Sequence, residues 1–402
     1  MLYPPWRRPV VIFVLFTALM QLDGKEIKTI PRRFMTHNLY YGLQVMLRQT
    51  PKSLSTNTRL LTTISNYFDW LNRQPVDYVA LNELNGWGHL HVENNELRAD
   101  IESFGRGAAV VAARHGWSLI MLQTNRGFDI GFAARLSKEN SNASSLRVPR
   151  HGHLTQTEGF HHGLLHCELR TGVPQSSERT IHVLVTHLSP HSSKARRKET
   201  AAICNAVNSL RDAGHPDTIV LGDFNTLSPH DKILLDSNSG LSVLDLFRQK
   251  PKLREKFLFV DTATQEFVID YSVMEILHSC LVDLVAFDKR NSNTSHQTTV
   301  PTDIVEDKMH AAPLRLDYIL ATPSLVAQLR TNIADFENSG AVRDLEEEYP
   351  PFTVETLRTA ESRVMSDHFP VFLKYNDPKD GLDFMGSNQI EISGRGAIGN
   401  AV

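Results

Sequence analysis

Cysteine is scarce in this chain. Of 402 residues only Cys167, Cys204 and Cys280 are cysteine, so no disulfide framework can form; one bridge at most is available, with one thiol left over. Net charge is equally slight. Lys and Arg number 42 against 45 Asp and Glu, a formal −3, which excludes a uniformly basic nucleic-acid-coating protein while leaving room for a local basic cleft. H-E-x-x-H, paired C-x-x-C, Walker A, G-x-S-x-G and EF-hand patterns are all missing, which removes the zinc-protease, zinc-ribbon, P-loop, serine-hydrolase and calcium-sensor classes. After the N-terminal segment no apolar run reaches the roughly 20 residues that span a bilayer. What remains is an ordinary folded composition, 41% hydrophobic and 22% charged. The 18 histidines are scattered and read as site and surface residues rather than as a metal-binding tract.

The two ends differ from the body. Arg7 and Arg8 precede an apolar run from Pro9 to Leu22, the pattern of a secretory signal peptide over residues 1–24. A membrane anchor is the alternative, although the run is short for one. The expected localisation is therefore secreted or extracytoplasmic. Asn142 and Asn293 open glycosylation sequons. After Tyr375 the chain turns polar and glycine-rich, and residues 376–402 read as a disordered tail.

Between residues 30 and 375 the pattern predicts one domain of short apolar strands and a few amphipathic helices. Strand-like runs are Phe34–Tyr40, Val76–Leu81, Ser118–Leu122, Asp129–Ala134, Gly163–Leu169, Ile181–Thr186, Thr218–Leu221, Leu316–Ala321 and Pro370–Tyr375. Several are apolar throughout, as for strands covered on both faces. Helical periodicity marks Thr58–Arg73, Glu96–His115 (stopped by Gly116) and Ser193–Ala213. Residues 228–313 are less regular and read as insertions.

Polar residues interrupt these strands at their ends. Val-Ala-Leu-Asn-Glu83 ends one with a carboxylate, Thr-His187 another with an imidazole, and Gly-Asp223-Phe-Asn225 a third with an acid and an amide. Asp317 sits inside Arg-Leu-Asp-Tyr-Ile-Leu, Ser366-Asp367-His368 precedes the last strand, and Asn38 follows the first. Strand ends are rigid, and residues placed there can converge on one cleft. Hard oxygen donors suit Mg²⁺, Mn²⁺ or Ca²⁺. Carboxylates around such an ion, with two histidines, are what phosphoester hydrolysis requires.

In this order the six blocks resemble the endonuclease/exonuclease/phosphatase superfamily, which includes DNase I-like nucleases, exonuclease III-type abasic endonucleases, neutral sphingomyelinases and inositol-polyphosphate 5-phosphatases. Gly-Asp-Phe-Asn or Ser-Asp-His alone is a weak signal; all six in sequence over residues 34–375 are a strong one. The resemblance implies an α+β fold, a four-layer α/β/β/α sandwich of the DNase I type, with a Mg²⁺ site where the sheets open. It assigns Glu83, Asn38 and Asp367 to the metal. Asp223 and Asn225 orient the attacking water and the phosphate. His368 is general base or phosphate stabiliser, Asp317 pairs with it, and His187 binds phosphate or assists the leaving group. The implied function is a metal-dependent phosphoester hydrolase, acting as a monomer on a phosphoester substrate. Nuclease action is slightly favoured over a sphingomyelinase-like phospholipid phosphodiesterase or a phosphatase. A catalytically dead binding module on the same fold is the reading of another class, and the complete residue set argues against it.

Weaker features stay open at this point. Lys194, Arg196, Arg197 and Lys198 open the third helix, where cations oppose the macrodipole; they read as a solvated face or as contacts to an anionic substrate. Trp87 and His89, just past Glu83, offer either packing or an exposed aromatic beside the metal. His151, His153, His161, His162 and His166 read as alternating positions on a surface hairpin, with a second metal site as the alternative. Arg135 receives no role.

Overall fold

In the computed structural model the described residues are 33–90, 106–124, 126–136, 146–147, 154–171, 179–232, 235, 243–287, 298–302, 312–327 and 352–375. The expected leader, the tail, both sequons, His151 and His153 lie outside them. The chain opens with β1 (Arg33–Asn38), α1 (Tyr40–Gln49), α2 (Thr56–Arg73), β2 (Tyr78–Asn82), α3 (Arg106–Arg114), β3 (Trp117–Leu122) and β4 (Ile130–Arg135). It continues with β5 (Leu146–Arg147), β6 (Leu164–Thr171), β7 (Arg179–His187), α4 (Ser193–Asp212) and β8 (Thr218–Asp223). Next come α5 (Val243–Gln249), α6 (Pro251–Phe257), β9 (Leu258–Val260), β10 (Phe267–Ile269), α7 (Ser272–His278) and β11 (Val282–Asp283). The last strands are β12 (Asp317–Ala321), β13 (Phe352–Thr356) and β14 (Val371–Tyr375).

Two six-stranded sheets form, ordered β13-β14-β1-β2-β4-β3 and β11-β12-β8-β7-β6-β5. Alternation along each strand explains how they stack, because successive side chains point to opposite faces. Phe34, Ala80, Phe132, Val183, Val185, Leu221 and Ile319 meet in the core between the sheets. Their neighbours Met35, Val79 and Leu81 turn outward to Ile64, Phe68 and Leu71 of α2 and Val111 of α3. Leu184, Val220 and Leu320 turn outward to Ile203 and Val207 of α4 and Leu277 of α7. The result is the expected α/β/β/α sandwich, and β2, β8 and β12 are buried at every position.

Local chemistry fixes the helix ends. Ser55 caps α2, its Oγ accepting from the Thr58 amide at 3.2 Å, which satisfies one orphan donor. Arg135, left without a role by sequence, closes the other end: its guanidinium donates to the carbonyls of Leu71, Gln74 and Val76 and lies 4.7 Å over the Trp117 ring. The third expected helix coincides with α4 within a residue. The second is described from Arg106 onward, and Gly116 stops it in a left-handed conformation (φ 79). The first strand ends at Asn38 rather than Tyr40, because Tyr40, Tyr41, Gly42 and Leu43 all take positive φ and swing the chain off the sheet. Cys204 of α4 is bridged to Cys280 after α7 at a Cα separation of 5.8 Å, and Cys167 remains a buried free thiol. Closing a 76-residue separation this way contributes about 2–4 kcal/mol.

Candidate active site

Topology alone carries the site residues to one edge. β1 and β2 are parallel, with Asn38 beside Asn82, so Glu83 follows at that end. In the second sheet β7 and β8 are parallel, with His187 beside Asp223. β12 runs antiparallel to β8 and starts at the same end, placing Asp317 directly across from Asp223. β14 runs antiparallel to β1, so Ser366-Asp367-His368 enters beside Asn38. Close approach of β7 to β8 needs a glycine. Gly222 holds φ 151, and a Cβ there would sit 1.8 Å from the Thr186 carbonyl oxygen.

Asn38 joins the two sheets. Its Nδ2 donates to Glu83 Oε1 at 3.0 Å and to Asp223 Oδ2 at 3.1 Å. The Tyr41 amide donates to Glu83 Oε2 at 3.0 Å. Glu83 itself is left-handed (φ 59), strain of the kind that persists where surroundings over-determine a functional residue. Burial, then the neighbouring Asp367 carboxylate, pushes its pKa up to about 7. Ser366 Oγ donates to the Asn38 carbonyl at 2.6 Å and accepts from the His368 amide at 3.2 Å, which locks the Ser-Asp-His turn to β1.

The histidines differ in charge. His368 Nδ1 is 2.7 Å from Asp317 Oδ2, and its Nε2 is 3.9 Å from Asp223 Oδ2. Burial alone would lower its pKa, but the carboxylates of Asp317, Asp367 and Asp223 hold it well above the usual imidazole range. His187 Nε2 is 3.5 Å from Asp223 Oδ2. Burial, then the charges of His368 and Lys256, hold that ring well below the usual range. Asp223 Oδ2 therefore lies between a cationic and a neutral imidazole. Asn225, left-handed at φ 50, donates its amide to Asp223 Oδ1 at 2.8 Å and its Nδ2 to the Leu188 carbonyl at 3.2 Å. Among the described residues, His187 Nδ1 and Asp317 Oδ1 are buried without a hydrogen-bond partner. Such atoms call for a ligand or water. All eight residues singled out in the sequence thus meet at one edge.

The donor set fits a divalent ion. Two carboxylates, Glu83 and Asp367, repel across a buried space, and a hard cation relieves that repulsion. Asp223, Asp317 and His368 also bring ligand atoms within 4.8 Å of one another.

A family model described as the Endonuclease/Exonuclease/phosphatase family matches residues 35–368. The chain belongs to that family. As an endonuclease/exonuclease/phosphatase protein it is a phosphoester hydrolase that depends on a divalent metal. No curated protein sequence matches it. Among solved structures it is similar to the 3′ phosphatase NExo from Neisseria bound to a product DNA hairpin, at 14% identity and TM-score 0.44, covering 86% of this chain and 100% of that one. TDP2 of D. rerio complexed with single-strand DNA product gives 11% and 0.43, over 87% and 100%. A mannosyl-6-phosphatase of Bacteroides thetaiotaomicron gives 12% and 0.42, over 86% and 100%.

Around these eight residues the structure adds groups that the sequence did not reveal. Lys256 of α6 is 3% exposed and donates from Nζ to Asn225 Oδ1 at 2.7 Å. Its carbonyl accepts from Arg196, whose guanidinium also donates to the Ser189 carbonyl at 2.9 Å. Arg197 pairs with Asp270 at 3.0 Å. Arg196 is therefore buried and fastens α4 to α6, and Arg197, 40% exposed, ties α4 to the turn before α7, while Lys194 and Lys198 lie on the exposed face. Asn82 bridges the sheets, accepting from the Asp223 amide at 3.1 Å and donating to the Thr186 carbonyl at 2.9 Å.

The aromatic beside the metal side is not Trp87, which a 3₁₀ turn at Trp87–His89 tucks under Tyr67 and Phe68, fully buried. It is Tyr41, 47% exposed, in ring contact with Tyr40 and with Phe128 at centroid distances of 5.0 and 5.4 Å. Phe128 touches His162 at 5.0 Å, and His162 stacks on His187 at 4.1 Å. His162, in the bend before β6, and His166 on β6 are buried, which corrects the surface-hairpin reading at these two positions.

Proposed function

We propose that this protein is an exported, monomeric, Mg²⁺-dependent phosphodiesterase that cleaves nucleic acid by attack of an activated water. The observation that carries the chemistry is Asp223 Oδ2, held among Asn38, His187 and His368. Asn38, Glu83 and Asp367 would hold the ion, which supplies positive charge against the phosphate. Asp223 takes the proton of the attacking water, and Asn225 orients the group that Asp223 holds. Cationic His368, backed by Asp317, stabilises charge developing on the phosphoryl oxygens. Neutral His187 keeps Nδ1 available for a phosphate oxygen or the leaving group. Nucleic acid is favoured by Tyr41, a stacking surface at the mouth, and by Arg126 and Lys252, whose charges act on His191, with Arg126 acting on His161 as well. Export is supported by the leader composition and by the Cys204–Cys280 bridge, since disulfides persist in oxidising compartments.

A phospholipid substrate is the second reading, and one observation favours it. The β9–β10 hairpin, directly after α6 and Lys256, exposes Phe259 (47%) and Val260 (44%). Hydrolysis of bis(p-nitrophenyl) phosphate, plasmid DNA and sphingomyelin vesicles, with Mg²⁺ and with EDTA, decides between the readings. DNA cleavage lost in EDTA supports the nuclease. Vesicle hydrolysis without DNA cleavage, reduced by Phe259→Ser, transfers the proposal to lipid. Folded protein silent on every diester refutes both.

Two expected results follow from the site. Lys256→Met lowers kcat about 10–100-fold, because the lost Nζ leaves Asn225 unoriented and removes a buried cation (about 1.5–3 kcal/mol for a charged hydrogen bond); steady-state kinetics beside thermal melts checks it. The second concerns pH. In the metal-free protein Glu83 takes up a proton as pH falls through about 7, and a protonated carboxyl is a poor ligand. The stabilisation gained on replacing EDTA by excess Mg²⁺, read from the rise in Tm, is therefore larger at pH 8 than at pH 6, by up to about 1.4 kcal/mol per pH unit. In Glu83→Gln this pH dependence vanishes.

A further inference from the structure

We infer that a second metal site, for a transition ion of the zinc type, lies on the outer face of the second sheet, built from His166, Glu168 and His182. The register makes it. His166 and Glu168 alternate along β6 and share a face, and Glu168 lies directly across the ladder from His182 on β7. Cys167, between them, points into the core between the sheets. One ligand atom from each of the three residues lies within 4.8 Å of the others. His166 Nε2 and His182 Nδ1 are 2.8 Å apart, and both rings are nearly inaccessible, at 1% and 2%.

Two imidazoles and one carboxylate are a zinc ligand set, in contrast to the oxygen-rich centre at the strand ends. With Zn–N bonds of about 2.0–2.1 Å, two nitrogens of a tetrahedral site stand roughly 3.4 Å apart, so the rings need part by only about half an ångström. The backbone is already braced: the His166 amide donates to Thr155 Oγ1 at 3.1 Å. The exposed ring of His215, in the turn between α4 and β8, lies 4.9 Å from the ring of His182, close enough to supply a fourth ligand. An ion there would clamp β6, β7 and that turn together. His182 precedes His187 by five residues on the same strand, roughly 17 Å at the rise of a β-strand, so the two metal centres are separate.

The test is zinc binding to the full chain with excess Mg²⁺ filling the catalytic centre, measured by calorimetry and by metal content after gel filtration. The expected result is one zinc per chain in the wild type, bound at least about tenfold more weakly in His182→Gln and in Glu168→Gln, the loss that removal of a ligand produces. Co²⁺ substitution gives the intense visible absorption of a tetrahedral ion in the wild type and not in His182→Gln. Glu83→Gln, altered at the catalytic centre alone, keeps the zinc and the spectrum. Retained Mg²⁺-dependent hydrolysis in His182→Gln shows that the variant is folded. Equal zinc content and affinity in wild type and His182→Gln, or no zinc retained by either, overturns the proposal and leaves His166 and His182 as a hydrogen-bonded pair.

Discussion

His368→Gln is expected to lower kcat for phosphodiester hydrolysis by at least about 10³-fold while the variant still folds, with a single cooperative thermal transition. The size follows from what the ring does twice over. It places a buried positive charge beside the reacting phosphate, an effect worth about 10²–10³-fold for a single oriented donor. It also stands against Asp223, the proposed proton acceptor, whose Oδ2 is 3.9 Å from His368 Nε2, and positioned proton transfer contributes about 10²–10⁴-fold. Asp317→Asn is expected to act through the same ring. It keeps the hydrogen bond to Nδ1 but withdraws the charge that keeps the imidazole protonated, so its pH–rate profile loses activity at lower pH than the wild type. Glutamine at 368 retains most of the buried volume and can still accept or donate one bond, which keeps loss of fold apart from loss of chemistry. Turnover within tenfold of wild type in His368→Gln would remove the imidazolium from the mechanism.

How far this site could be read in advance depended on the range of the contacts involved. Strand ends were legible because a polar residue closing an apolar run is a local pattern, and a sheet translates it into a common edge. Asn38, Glu83, His187, Asp223, Asn225, Asp317, Asp367 and His368 all belong to that type, and all eight arrive where the pattern put them. Lys256 had no such signature. It lies in a short helix, and only the buried anchor from Arg196, 60 residues away, carries it to Asn225. Trp87 stays open between packing and exposure in the sequence because a glycine-rich loop suits either; one 3₁₀ turn rotates the indole under α2, which bears out packing. The four left-handed residues from Tyr40 to Leu43 similarly turned the end of an expected strand into the loop that presents Tyr41. Among the described residues the irregular stretch from 228 to 313 holds four short α-helices and a hairpin, each too short to show periodicity on its own.

Arg315→Met is expected to destabilise the protein by about 3–5 kcal/mol at pH 7, the cost of leaving buried charge unpaired. Arg315 is 1% exposed and holds two carboxylates. Its Nη1 and Nη2 donate to Asp283 at 2.9 and 2.7 Å, while Nε donates to Asp231 at 3.1 Å. Burial would raise the Asp283 pKa, but the guanidinium fork holds it below the usual carboxylate range. Asp231 is raised, by burial first, although it shares the same cation. Methionine fills the volume and removes the cation, so both carboxyls then titrate above their unfolded values. A raised carboxyl destabilises the fold only where it must ionise, so the deficit is greatest at neutral pH and shrinks as both groups protonate on acidification. Urea melts at pH 7 and pH 5 are the measurement, with the smaller difference expected at pH 5. Arg315→Lys is not expected to rescue, since a single ammonium cannot reproduce the fork on Asp283 while also reaching Asp231. In an Asp283→Asn background the cost of Arg315→Met should fall, because one of the two stranded charges is already gone. A deficit below about 1 kcal/mol at pH 7 would show that water or relaxation compensates the two carboxylates.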